Sequence, residues 1–97
     1  MLKENKFFLP RAIFDDKRLT PSDITVLSYL YSNLDKSKKQ SSVSYTDITE
    51  GTSISRPTVS KVLKTLEKTG WIKIIREEKN NNQYILNIPN EVRKNGR

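Results

Sequence analysis

The stretch "GTSISRPTVSKVLKTLEKTGWI", residues 51–72, decides the fold. Ser55 stands where a helix N-cap belongs, and Pro57 falls in the first turn, where its missing N–H is harmless. Val59, Val62, Leu63 and Leu66 recur at i, i+3, i+4 and i+7, which is one apolar stripe of a helix. Lys68 suits the last turn and Gly70 supplies a stop. The spacing predicts a helix over residues 56–69. At about 100° per residue, its opposite face carries Pro57, Ser60, Lys61, Lys64 and Lys68. Arg56 and Thr58 flank the N-terminal end, and Thr65 lies at the side. Glu67 is the only carboxylate of this helix and falls near the core edge. A merely solvated face mixes both signs, whereas this one offers hydroxyl, ammonium and guanidinium donors suited to phosphates and base edges. The competing reading is an amphipathic surface helix with no ligand.

Downstream, "WIKIIREEKNNNQYILNIP" reads as a β-hairpin. Ile72 and Ile74 alternate with Lys73 and Ile75; Tyr84, Leu86 and Ile88 alternate with Ile85 and Asn87. The tip, residues 77–82, is polar and turn-prone, and Pro89 ends the strand. Residues 90–97 form a basic tail expected to fray. Upstream, "SVSYTDITEGTSIS" holds a Ser44–Asp47 capping box, so a short helix should start at Tyr45, with Ile48 in the core and Val43, just before it, as a candidate short strand. "DKSKKQSS", residues 35–42, lacks periodicity and reads as a loop. "LTPSDITVLSYLYSNLDK" starts cleanly: Thr20 at N-cap, Pro21 at N1 and Asp23 as the box acceptor. Ile24, Leu27, Leu30, Tyr31 and Leu34 follow at helical spacing, and Val26 widens the apolar arc beyond one stripe. In "NKFFLPRAIFDDKRL", a turn of helix is expected over residues 11–15, and Asp15–Asp16 reads as an exposed acidic turn. The chain therefore divides into an arm (1–19), a domain (20–89) and a tail (90–97).

Composition narrows the function classes. The 97 residues include 26 Leu, Ile, Val and Phe, enough for a small core but not a generous one. Eighteen Lys and Arg against 11 Asp and Glu give a net charge of +7, which favours polyanionic partners, nucleic acid first. Cysteine and histidine are absent, which removes thiolate chemistry and the commonest general base and zinc ligand. There is no apolar run of membrane-spanning length and no Gly-rich phosphate loop. No enzyme, metal or cofactor is expected, and no small-molecule ligand is indicated, because the core needs almost every apolar residue. A cytoplasmic location is the default expectation.

The order helix, helix, turn, helix, hairpin is mainly α with a small β-hairpin, an α+β class. Residues 44–88, with Ser44, Ile48, Glu50 and then "ISRPTVSKVLKTLEKTGWI", resemble a winged helix-turn-helix DNA-binding domain. The resemblance implies three helices and a two- or three-stranded wing. Such families usually carry leucine where Thr52 stands and glycine where Ser53 stands, and Gly51 comes two residues early. A distinct turn and a short second helix are therefore expected. The arm and the helix after it, with Phe7, Pro10, Phe14, Leu19 and Tyr31 in "FFLPRAIFDD…LTPSDITVLSYLYSNL", are similar to the start of replication-initiator domains of plasmids and phages.

The resemblance implies that the start of the third helix meets base edges. Ser55, Arg56, Pro57, Thr58, Ser60 and Lys61 make up that part, with Arg56 suited to guanine and Lys64, Thr65 and Lys68 along the same flank. Ser44, Tyr45 and Thr46 at the start of the preceding helix complete one side. Arg76, Lys79, Asn80, Asn81 and Asn82 of the wing are expected at a minor groove or at flanking phosphates. The expected partner is double-stranded DNA carrying an inverted or direct repeat. A homodimer is expected through Phe7, Phe8, Leu9, Val26 and Leu30. The function implied is sequence-specific binding without catalysis, as a transcriptional regulator or a replication, partition or transfer accessory. The alternatives are a protein-interaction module on the same scaffold and the DNA-binding domain of an initiator.

Overall fold

A computed structural model describes residues 9–35, 37, 40–76 and 82–89. Four helices and four strands follow in the order α1 (Ala12–Asp15), α2 (Pro21–Ser32), β1 (Leu34–Asp35), β2 (Gln40–Val43), α3 (Tyr45–Thr52), α4 (Arg56–Lys68), β3 (Ile72–Ile75) and β4 (Asn82–Leu86). The strands form one antiparallel sheet in the order β1-β2-β4-β3.

Local chemistry sets the helix starts. Thr20 Oγ1 accepts from the Asp23 N–H (3.2 Å) while the Thr20 N–H donates to Asp23 Oδ2 (2.8 Å). Ser44 and Asp47 repeat the arrangement at 3.0 and 3.1 Å. Each box satisfies donors that a helix end leaves unpaired. The end of α4 is equally well defined. The Trp71 N–H bonds the Leu66 carbonyl (2.9 Å), the Gly70 N–H bonds that of Glu67 (3.2 Å), and Gly70 takes φ +89°. This is a Schellman stop, and the positive φ explains the glycine.

The turn between α3 and α4 differs from the leucine-glycine pattern. The helix runs through Gly51 to Thr52, and Ser53 then takes the left-handed conformation (φ 63°, ψ 24°). Thr52 Oγ1 donates to the Ile48 carbonyl (2.7 Å) and accepts from the Ile54 N–H (3.2 Å), so its side chain stitches the helix end to the turn. Gly51 is required for another reason: a Cβ there would overlap the ring of Tyr29 on α2.

Two expectations about local structure are corrected. "DKSKKQSS" is not wholly loop, because Gln40–Val43 form β2, paired with β4 on one side and with Leu34–Asp35 on the other. Val43 was the strand residue expected there; Gln40, Ser41 and Ser42 carry no strand signal of their own and join the ladder by pairing with Ile85, Tyr84 and Gln83 of β4. Asp16 is not an exposed turn residue, because it is 5% exposed. Its Oδ2 accepts from the Trp71 indole N–H (2.8 Å), and both its oxygens are held by Arg18 (2.7 and 2.8 Å).

The core gathers Ile13, Val26, Leu27, Leu30, Ile48, Val59, Leu63, Leu66, Trp71 and Tyr84. Helix α2 lies at its centre and meets α3, α4 and β2. That position explains its wide apolar arc and corrects the expected dimer surface: Val26 and Leu30 are fully buried within the chain itself. Leu9 is half-buried against the same core, and Phe7 and Phe8 lie outside the described residues.

Candidate nucleic-acid interface

Helix α4 buries Val59, Val62, Leu63 and Leu66 and turns Arg56, Pro57, Lys61, Lys64 and Lys68 to solvent. Thr58, Ser60 and Thr65 are half-buried at the margins of that outer face. Glu67, the one carboxylate, is drawn to the side by Arg76 of the wing root (3.7 Å). The outer face thus keeps four cations on a helix of 13 residues.

The N-terminus of α4 is unlike those of α2 and α3. No acid lies in its first turn, and the Ser55 side chain makes no capping bond to the backbone. The Ser55 hydroxyl donates to Thr58 Oγ1 instead (3.1 Å). Ser55 therefore holds the N-cap position by backbone conformation alone, and the positive end of the helix dipole is left for an external acceptor. By contrast, Ser44 and Asp47 already close the start of α3. Ser44 acts there as a cap, with a carboxylate beside it that repels phosphate.

Arg56 and Tyr45 are brought together. The Arg56 guanidinium carbon stands over the Tyr45 ring, 5.1 Å from its centroid, a cation–π contact between the starts of α4 and α3. Thr46 is exposed next to it in sequence. This pairing escaped sequence reasoning because the turn geometry sets it; the nearest sequence signal is that both residues open their helices.

The wing is described only at its root. Arg76 is exposed, and Lys79, Asn80 and Asn81 lie outside the described residues. Asn82 was expected in the turn but is the first residue of β4, paired with Val43, and its amide lies 3.4 Å from the Tyr84 hydroxyl. Lys73, not singled out from sequence, is exposed on β3, where its alternation with Ile72 and Ile74 already pointed outward.

Among the described residues there is no cluster of three or more potential metal ligands, and no helix is long and apolar enough to cross a membrane. Comparison with characterised proteins and with solved structures returned no match. A family model does match, that of the MarR family, over residues 19–80. The matched span runs from the start of α2 through both interface helices and β3. With its winged-helix architecture and a match across well over half its length, the chain belongs to the MarR family of non-enzymatic, DNA-binding transcription regulators.

Proposed function

We propose that this protein is a sequence-specific binder of double-stranded DNA that regulates transcription in the cytoplasm by seating the first turns of α4 in the major groove. The observation that carries the reading is the uncapped, acid-free start of α4, continuous with Arg56, Lys61, Lys64 and Lys68 on one face. Arg56 reads a base edge there, and Lys64 and Lys68 hold phosphates. Arg76 and the wing tip flank the site. The similarity of the arm to initiator domains supports a plasmid or phage setting, with replication, partition or transfer as narrower roles.

A gel-shift titration across salt concentrations tests this. Log K falls by about 0.9 per phosphate neutralised on B-DNA, so four or five contacts per protomer give a slope of roughly −4. Lys68→Ala should reduce the slope by about one on cognate and random duplex alike. A flat salt response would rule out the DNA reading. Selection from a random duplex pool then supplies the site: an inverted repeat supports a regulatory dimer, and tandem direct repeats support initiator-like binding.

A further inference from the structure

Arg56 is the first residue of α4, on a long and exposed side chain. An exposed arginine samples many rotamers, and a base contact requires one of them. Among the described residues Arg56 makes no ion pair; its side-chain partner is the Tyr45 ring. That partner matters chemically. A carboxylate would occupy the guanidinium N–H donors, whereas an aromatic face engages the charge and leaves those donors for an incoming acceptor.

The ring is itself well anchored. Tyr45 is the first residue of α3, directly behind the Ser44–Asp47 capping box. It is half-buried and packs against the core cluster. Tyr45 is thus an anchored platform beneath the Arg56 guanidinium.

We propose that Tyr45 is a positioning residue for specificity: it acts through Arg56, holding the guanidinium over its ring so that the N–H edge is presented to guanine, and is not an independent DNA contact. The inference rests on the proposed base reading by α4.

The test compares wild type, Arg56→Ala, Tyr45→Phe, Tyr45→Leu and the Tyr45→Leu/Arg56→Ala double variant. Each is titrated against the selected site and against the same site with the guanine under Arg56 replaced. The measured quantity is the ratio of the two affinities, which does not depend on the fraction of folded protein. Arg56→Ala should reduce the ratio about fivefold or more. Tyr45→Leu should reduce it about two- to fivefold, as expected for an exposed cation–π contact, with the salt slope unchanged. Tyr45→Phe should keep the wild-type ratio, and the double variant should be no worse than Arg56→Ala. In the free protein, the Arg56 δ-methylene protons should show an upfield ring-current shift by NMR, kept in Tyr45→Phe and lost in Tyr45→Leu.

A Tyr45→Leu variant that weakens both sites equally would make Tyr45 merely structural. A Tyr45→Phe variant as impaired as Tyr45→Leu would make the hydroxyl a direct contact. Absence of the ring-current shift would overturn the inference without reference to DNA. If Arg56→Ala leaves the ratio intact, base reading by Arg56 fails and this inference fails with it. If Arg56→Ala lowers the ratio and Tyr45→Leu does not, only the Tyr45 inference fails.

Discussion

The Asp16 carboxylate lies between the Arg18 guanidinium and the Trp71 indole. The Arg18 hydrogen bonds, helped by that of Trp71 and opposed by burial, hold its pKa at about 2 against an ordinary 3.8. A pKa depressed in the folded state stabilises the protein above the unfolded value. That contribution is lost as pH falls through the folded one. A difference of this size corresponds to about 2 kcal/mol. The Arg18 side chain is 41% exposed, and solvent screening brings the figure nearer ~1 kcal/mol. Asp16→Asn should therefore lower stability at pH 7 by about 1–2 kcal/mol in urea unfolding. The gap between wild type and variant should close as pH falls from about 4 to about 2. An unchanged gap at acid pH would show that the charge is not what matters. The sequence made Asp16 look like an exposed turn because one of its two partners, Trp71, is 55 positions away.

At the scale of elements, the contact between α2 and α3 turns on a glycine and a ring. Alanine normally favours a helix over glycine by about 1 kcal/mol. At Gly51, however, a Cβ would overlap Tyr29, and overpacking costs roughly 1–3 kcal/mol. Gly51→Ala should thus destabilise the wild type. In a Tyr29→Ala background the same substitution should stabilise by about 0.5–1 kcal/mol. The same sign in both backgrounds, measured by chemical unfolding, would exclude the clash. Elements were legible where their signals are local. The Thr20–Asp23 and Ser44–Asp47 boxes and the Gly70 stop need only neighbouring residues, and all three stand as the sequence implied. Strand β2 was not legible, since Gln40, Ser41 and Ser42 become a strand only through pairing with Ile85, Tyr84 and Gln83. The interface helix was readable in outline, but the Arg56–Tyr45 contact depends on Ser53 adopting a left-handed turn.

For the whole molecule, exposed apolar surface bears on association. The wide apolar arc of α2 looked like a second packing surface, but Val26 and Leu30 are used up by the chain's own core. Among the described residues, the large apolar side chains left exposed are Phe14 of α1, within the arm and 55% exposed, and Ile75 of β3, 37% exposed. A small domain gains stability by covering such surface, and a two-fold pair would set two α4 helices on one duplex about 34 Å apart. The expectation is a dimer in sedimentation equilibrium at tens of micromolar that Phe14→Ser shifts toward monomer. A monomeric wild type under those conditions would leave two independent protomers meeting only on DNA.

The pairing of β2 with β4 has a kinetic meaning as well. Val43 faces Asn82 across the ladder, so α3 and α4 both lie inside the chain segment that this pairing closes. Loop-closure entropy must be overcome before such distant residues reward one another, so the ladder is expected to form late in folding. Helices α3 and α4 can form early and locally, but their orientation is fixed only when the ring of chain shuts. Closure places α4 and β3 within one loop whose ends are held by the β2–β4 ladder. Hydrogen exchange should therefore show the amides of α4 and of the β2–β4 ladder opening together, and separate opening of α4 would show that the closed loop does not couple them.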